Sequence, residues 1–256
     1  MAAAHQPIAS ESSFSIPGDL DEIIDKRASF ILKKHDASTT VGIIAAGDFG
    51  LPRSLLLKRF NYRGLFDFMI HRIFIGRAKR LWDTNMELYR KGLPVPEPIT
   101  YVESSLKKKN AFFVSSVISD ADSLSAFYRK GTLPGNRELG RKLAETVSQW
   151  HLAGAVHGDL KWPNILIQNN AGTYRCFFID LDQARIYSRP CIKGIIRDIE
   201  RFYRFALQLG AEQWVETEFL PEYLSFFPVA MKNNMDLAGI RNRALKEWTK
   251  KGRKKL

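Results

Sequence analysis

His157-Gly-Asp159-Leu-Lys161-Trp-Pro-Asn164-Ile-Leu166 is the stretch on which the reading of this chain turns, and Phe178-Ile-Asp180-Leu-Asp182 follows it, Asp180 lying 16 residues beyond Asn164. Phosphoryl transfer asks little covalent chemistry of a protein. It needs an acceptor for the proton of an attacking hydroxyl, oxygen ligands for a divalent cation, and cations for phosphate oxygens. In this spacing Asp159 is the candidate catalytic carboxylate, and Lys161 is placed to neutralise the transferring group. Asn164 can turn back to offer Mg²⁺ its amide oxygen, and Asp180 supplies the hard carboxylate that joins Mg²⁺ to the phosphates of a nucleotide such as ATP. His157 is expected to pack beneath the loop rather than serve as the base.

Outward from the loop, the pattern differs on its two sides. Just upstream, Asn136 to His151 sets Leu139, Leu143, Val147 and Trp150 on one helical stripe, closed by Gly154. Just downstream, the apolar runs Ile165 to Gln168 and Cys176 to Ile179 flank a hairpin-like Asn169-Asn-Ala-Gly172, and from Ile195 onward the pattern is helical. The first half instead gives β-like runs at Ala28 to Lys34, Thr40 to Ala46 and Ser54 to Phe60, with turn material between them. A helix follows from about Arg77 to Lys91, carrying Leu81, Trp82, Met86 and Tyr89, and Pro94, Pro96 and Pro98 force an extended exit. Strands around Ile99 to Glu103 and Ala111 to Ile118 complete the half. The expectation is an α+β chain of two lobes: a weakly patterned extension over 1–26, a first lobe over 27–118 built on a five-stranded antiparallel sheet plus one helix, and a mostly helical second lobe over 119–256.

The first lobe should hold the nucleotide. Lys58, in Leu55-Leu-Leu-Lys58-Arg-Phe60, is a charge in an apolar strand and is the candidate phosphate ligand, with Arg59 alternating to the other face. Its carboxylate partner is expected on the following helix, at Glu87 or Asp83. No Gly-rich phosphate loop occurs; the corresponding turn, Asp36-Ala-Ser38-Thr39-Thr40, offers hydroxyls and backbone N–H groups.

Composition sets limits. The chain has 256 residues, 45% hydrophobic and 26% charged, as in an ordinary globular protein. No run reaches the length of about 20 apolar residues that a membrane-spanning helix needs. The start lacks a basic segment followed by an apolar one, and the two cysteines, Cys176 and Cys191, form no disulfide framework, so a reducing cytoplasm is expected. The net charge of +12 calls for an anionic partner: substrate, membrane surface or nucleic acid. Arg53 to Arg80 holds eight basic residues against Asp67 alone, and Arg241 to Leu256 holds eight more against Glu247.

Taken together, His157-Gly-Asp-Leu-Lys-x-x-Asn164, Ile179-Asp-Leu-Asp-x-Ala-Arg185 and Arg197-Asp198-Ile-x-Arg-Phe202 resemble the lipopolysaccharide inner-core kinases of the Kdo/WaaP family. Ser54-x3-Lys58-Arg-Phe-Asn61, Arg77-Ala-Lys-Arg-x-Trp82 and Gly92-Leu-Pro-Val-Pro96-x-Pro98 extend the likeness across residues 28 to 205, and the last two narrow it. The resemblance implies a protein-kinase-like fold, use of ATP and Mg²⁺, and phosphorylation of a sugar hydroxyl on Kdo or heptose at the cytoplasmic face of the inner membrane. It places Asp159, Asn164, Asp180 and Lys58 on matching positions and gives Asp198 the task of bracing the loop. A literal Asp48-Phe49-Gly50 precedes the loop by over a hundred residues, the reverse of the kinase order, and reads as a turn.

The bottom-up reading favours a non-protein acceptor on its own account. Only about 15 residues separate Asp180 from the helix near Ile195, too few for a peptide-docking segment. The basic clusters suit an anionic core oligosaccharide and peripheral contact with an anionic inner membrane, with no nucleic acid expected. The competing readings are an aminoglycoside- or choline-type small-molecule kinase, against which the positive charge argues; a RIO-like protein kinase; and a pseudokinase binding module, against which the intact Asp159, Asn164 and Asp180 argue.

Overall fold

In an antiparallel sheet whose strands alternate in side-chain direction, register decides which residues share a face. The computed structural model describes residues 20–26, 30–48, 51, 53–61, 76–103, 110–133 and 135–252. Strands β1 (Phe30–His35), β2 (Thr39–Ile44), β3 (Leu55–Phe60), β4 (Pro98–Val102) and β5 (Ala111–Ser116) form one antiparallel sheet in the order β1-β2-β3-β5-β4. Ile44 pairs with Leu55 and Gly42 with Leu57, which in turn faces Val114. On this face Ile44, Leu55, Leu57, Phe112 and Val114 form a core with Phe30 and with Leu20, Ile23 and Ile24 of α1 (Leu20–Lys26). Gly42 must be glycine there: a Cβ would stand 2.2 Å from the Phe30 ring that covers it. Asp21 of α1 ties the helix down by accepting from Arg59 (3.1 Å) and Asn110 (2.7 Å).

Residues 20–26 thus leave the loose extension in which the sequence reading placed them. The spacing of Leu20, Ile23 and Ile24 is helical, but seven residues are too few to hold a helix unaided, and the apolar sheet face supplies the stability. The rest of the extension, 1–19, lies outside the described residues, as do Phe49, Gly50 and Pro52. Beside them, the Leu51 N–H donates to the Asp48 carbonyl (3.0 Å) and the Gly47 N–H to the Leu51 carbonyl (2.8 Å).

Helix α2 (Arg77–Arg90) packs along β4 and β5, with Arg77 4.7 Å from the Phe60 ring. Its buried arc is Ala78, Leu81, Asn85 and Leu88, and Asn85 is satisfied by its own helix, donating to the Leu81 carbonyl at 2.8 Å. The apolar stripe read from sequence shares only Leu81 with that arc, and Tyr89 is 41% exposed. A buried amide hides the phase of the helix from a count of apolar residues alone.

The chain divides into two units, the residues up to Gly92 with Pro96–Val117, and Leu93–Val95 with the residues from Ile118. The tripeptide joins the second unit through the Phe178 N–H, which donates to the Pro94 carbonyl at 2.8 Å. In that unit β6 (Ala121–Ser123), β8 (Ile165–Asn170) and β9 (Thr173–Phe178) form a three-stranded sheet, and β7 (Ala155–Val156) pairs with β10 (Arg185–Ile186). Between β8 and β9 only Ala171 and Gly172 remain, both at positive φ, in the tight hairpin suited to the twist of the strands. Helices α3 (Leu124–Arg129), α4 (Arg137–Leu152) and α5 (Ile192–Leu209) surround the sheets. The α4 stripe of Leu139, Leu143, Val147 and Trp150 is fully buried, and Asn136 caps the helix by accepting from the Leu139 N–H at 3.0 Å. Beyond α5 come a short helix α6 (Glu212–Trp214), a π-helical turn (Val215–Phe219), α7 (Leu220–Ser225), α8 (Val229–Lys232) and α9 (Leu237–Gly252).

Candidate active site

The loop from His157 to Asn164 joins β7 to β8 and is held from beneath by α5. Asp198, 1% exposed, accepts from the His157 N–H (2.6 Å) through one carboxylate oxygen and from the Gly158 N–H (2.8 Å) through the other. A buried carboxylate is stable only when so satisfied. His151 of α4 adds a third partner to Asp198 at 3.3 Å, and its Nδ1 pairs with the Tyr223 hydroxyl of α7 at 2.7 Å. Burial in this apolar layer raises the Tyr223 phenol well above its ordinary range. The loop therefore rests on a polar chain reaching from α7 through α4 to α5.

Gly158 is required by geometry. Its φ is +76°, and a Cβ would stand 2.7 Å from the Gln183 carbonyl oxygen. His157 is buried, and the neutral Nε2–H tautomer fits both of its neighbours, donating to the Ile179 carbonyl (3.1 Å) while Nδ1 accepts the Asp159 N–H (3.3 Å). Burial lowers its pKa, so the ring stays neutral and structural. Trp162, fully buried, anchors the far end of the loop among Phe202 (5.4 Å), Trp214 (5.7 Å) and Tyr128 (5.7 Å).

Asp159 emerges with both carboxylate oxygens met by cations: Oδ1 accepts from Arg201 at 2.6 Å and Oδ2 from Lys161 at 2.9 Å. Arg201 also donates to the Gly158 carbonyl at 3.0 Å. It stands three residues beyond Asp198 on α5, so one helix grips the loop twice, by a carboxylate on the N–H groups and a guanidinium on the carbonyl and the carboxylate. The sequence reading quoted Arg201 within a motif and gave it no role; its i, i+3 relation to Asp198 was the available signal. Asn164 donates its amide nitrogen to the Asp159 carbonyl (3.0 Å), leaving Oδ1 as an acceptor for another group. Its carbonyl accepts the Ile179 N–H at 3.0 Å, tying the loop to the residue before Asp180. Asp180 itself sits at φ 60° and ψ 55°, a left-handed conformation that is uncommon outside glycine and that marks functional turns.

In the first unit Lys58 is buried on the sheet face opposite α1, beside Val41 and Phe113 in the register, with its ammonium 5.7 Å from the Phe60 ring centre. On that face Ile31, Ile43 and Leu56 form a neighbouring row of incompletely buried aliphatic side chains, Ile31 being 53% exposed. Two expectations are corrected. Glu87 and Asp83 stand on the exposed arc of α2 and pair with lysines of their own turn: Asp83 with Lys79 at 2.6 Å, Glu87 with Lys91 at 4.0 Å. Ser38 and Thr39 do not turn their donors outward, because Asp36 takes both N–H groups (2.8 and 2.7 Å) and both hydroxyls (2.8 and 3.2 Å). Thr40 is buried, its hydroxyl between His35 (2.9 Å) and Asn61 (3.3 Å). Lys34 and these donors together hold the Asp36 carboxyl well below the usual carboxylate range.

The architecture matches a solved structure described as WaaP in complex with acyl carrier protein, with a TM-score of 0.62 and 19% identity over 86% of this chain and 88% of that one. The fold is thus the kinase-like α+β fold. Residues 67–223 match the model of the lipopolysaccharide kinase (Kdo/WaaP) family, and the chain belongs to that family. Among curated relatives, the 3-deoxy-D-manno-octulosonic acid kinase of Haemophilus influenzae strain 86-028NP is 31% identical over 102 residues, 38% of this chain and 40% of that protein. The protein of the same name from strain Rd is 29% identical over 141 residues, 50% of this chain and 56% of that protein. The matched segments span about half the length of these relatives.

Proposed function

We propose that the chain is an ATP-dependent kinase that transfers the γ-phosphoryl group to a sugar hydroxyl of the lipopolysaccharide inner core, with Kdo as the favoured acceptor. The observation that carries the reading is Asp159, displayed on a loop braced from beneath by Asp198 and held by Arg201, Lys161 and Asn164. Family membership and the named relatives support the acceptor class. Asp159 receives the proton of the sugar hydroxyl. Arg201 orients the carboxylate through Oδ1, while Lys161, on a flexible stem and 37% exposed, is suited to move from Oδ2 to the transferring phosphoryl.

Asn164 Oδ1 and Asp180 would hold Mg²⁺, a hard-oxygen pair that phosphate oxygens and water complete. The ion would supply charge stabilisation on the nucleotide phosphates. Among the described residues no group of three His, Cys, Asp or Glu side chains could hold a metal ion. Lys58 is the ligand for the phosphates, and the row Ile31, Ile43 and Leu56 offers an apolar bed for the base.

Among the described residues no helix is long and apolar enough to cross a membrane. The proposed position is peripheral, on the anionic cytoplasmic face of the inner membrane, with α9 resting Trp248, 41% exposed, and its lysines against the surface. The test of function is incubation of the purified chain with γ-labelled ATP, Mg²⁺ and a Kdo-bearing lipid A acceptor, beside a peptide mixture. Label is expected in the glycolipid; label confined to peptides would contradict the assignment.

A further inference from the structure

One arc of α5 carries more than the loop requires. At 100° per residue, Lys193, Arg197, Arg201 and Arg204 fall within an arc of about 80° and span about 16 Å along the axis. The buried arc lies on the other side: Ile195, Asp198, Ile199, Phe202 and Ala206. Among the described residues, Lys193, Arg197 and Arg204 form no ion pair, while Arg201 reaches Asp159 at 2.6 Å. Some other basic residues of this unit do meet acids, Arg243 with Glu200, Arg241 with Glu216 at 3.1 Å and Lys130 with Asp122 at 2.6 Å. Like charges at i, i+4 destabilise a helix, so an unmatched file of them stands against local preference.

We propose that this arc is the docking track for the acceptor, a glycan bearing several carboxylate or phosphate groups. The inference rests on the kinase reading above and deepens it by giving the acceptor a place and a charge requirement. The track has a direction, because its third member contacts the carboxylate that receives the hydroxyl proton. Anions laid along Lys193, Arg197 and Arg204 bring a neighbouring hydroxyl toward Asp159. A flat anionic bilayer could meet the outlying cations, but only an acceptor must also present a hydroxyl to the Asp159 that Arg201 holds.

The test uses the full chain and a lipid-free inner-core oligosaccharide carrying Kdo carboxylates and phosphates, with binding measured at low and at high salt. The triple variant Lys193→Gln, Arg197→Gln, Arg204→Gln keeps good helix formers on an outer arc, and Lys193→Arg, Arg197→Lys, Arg204→Lys keeps the charge. The glutamine variant should bind the oligosaccharide about tenfold to a hundredfold more weakly and with a flatter salt dependence, while the exchange variant binds nearly as the wild type does. Binding to vesicles of anionic phospholipid should be unchanged in both. An unchanged oligosaccharide affinity in the glutamine variant, no binding by the wild type, or a loss confined to vesicles would each overturn the track. Phosphoryl transfer measured in parallel separates the two claims. Binding that depends on the track without transfer removes the kinase reading alone; transfer with an unchanged acceptor KM in the glutamine variant removes the track alone.

Discussion

Asp36 and Asp198 each organise a turn by collecting backbone N–H groups, and they leave opposite results. Asp198 lies beneath its loop, takes the N–H groups of His157 and Gly158, and leaves Asp159 displayed above. Asp36 lies within its own turn, takes two N–H groups and two hydroxyls, and leaves no such donor facing outward from Ser38 or Thr39. The position of the organising carboxylate decides the difference. A carboxylate brought from another element can brace a loop without occupying it, whereas one inside the turn becomes the turn's own ligand. The first device builds a site and the second closes a strand connection.

Replacing Asp198 should have the largest effect on stability. Asp198→Ala strands the buried His157 N–H, the part-buried Gly158 N–H and His151, and is expected to cost about 3–5 kcal/mol, read by chemical denaturation. A loss below about 1 kcal/mol would mean that the brace is ornamental. Next comes Arg201, which is partly exposed and grips the loop from the other side. Arg201→Ala should lower kcat about tenfold, about 1.4 kcal/mol, with the KM for ATP little changed, and Arg201→Lys should recover part of the loss. Equal losses in the two variants would deny that the positive charge held against Asp159 carries the effect.

Asp36→Ala should matter least, about 0.5–1 kcal/mol, because the carboxylate is solvent-accessible. Its sign with pH follows from the lowered folded pKa. The unfolded chain takes up the proton first, so the contribution is present above the ordinary value of 3.8 and fades as pH falls below it. The gap in melting temperature between wild type and variant should therefore be widest near neutrality and narrow in acid. A gap that widens in acid would contradict the assignment.

The loop's geometry was legible in sequence because it depends on short offsets along one chain, which bring Lys161 and Asn164 to Asp159. The five strands were legible from apolar runs between turn residues, and Lys58, a charge inside such a run, is buried in β3. What escaped depended on relations between elements. Arg201 gains its role only when α5 is laid under the loop, and Trp162, an unconstrained position in the motif, becomes an anchor only when Phe202 and Trp214 converge on it. Glu87 and Asp83 failed as partners for Lys58 because the buried arc of α2 runs through Asn85, a polar residue that an apolar count passes over. The turn from Asp36 to Thr40 misled for a local reason, since an Asp at the head of a turn serves the N–H groups two and three residues on.

The most direct measurement is phosphoryl transfer from γ-labelled ATP to the Kdo-bearing acceptor by Asp159→Ala beside the wild type, with ATP binding followed in parallel. The account predicts a fall in turnover of about 10² to 10⁴, as for loss of a general base, with ATP affinity largely retained. An unchanged rate of transfer would contradict it.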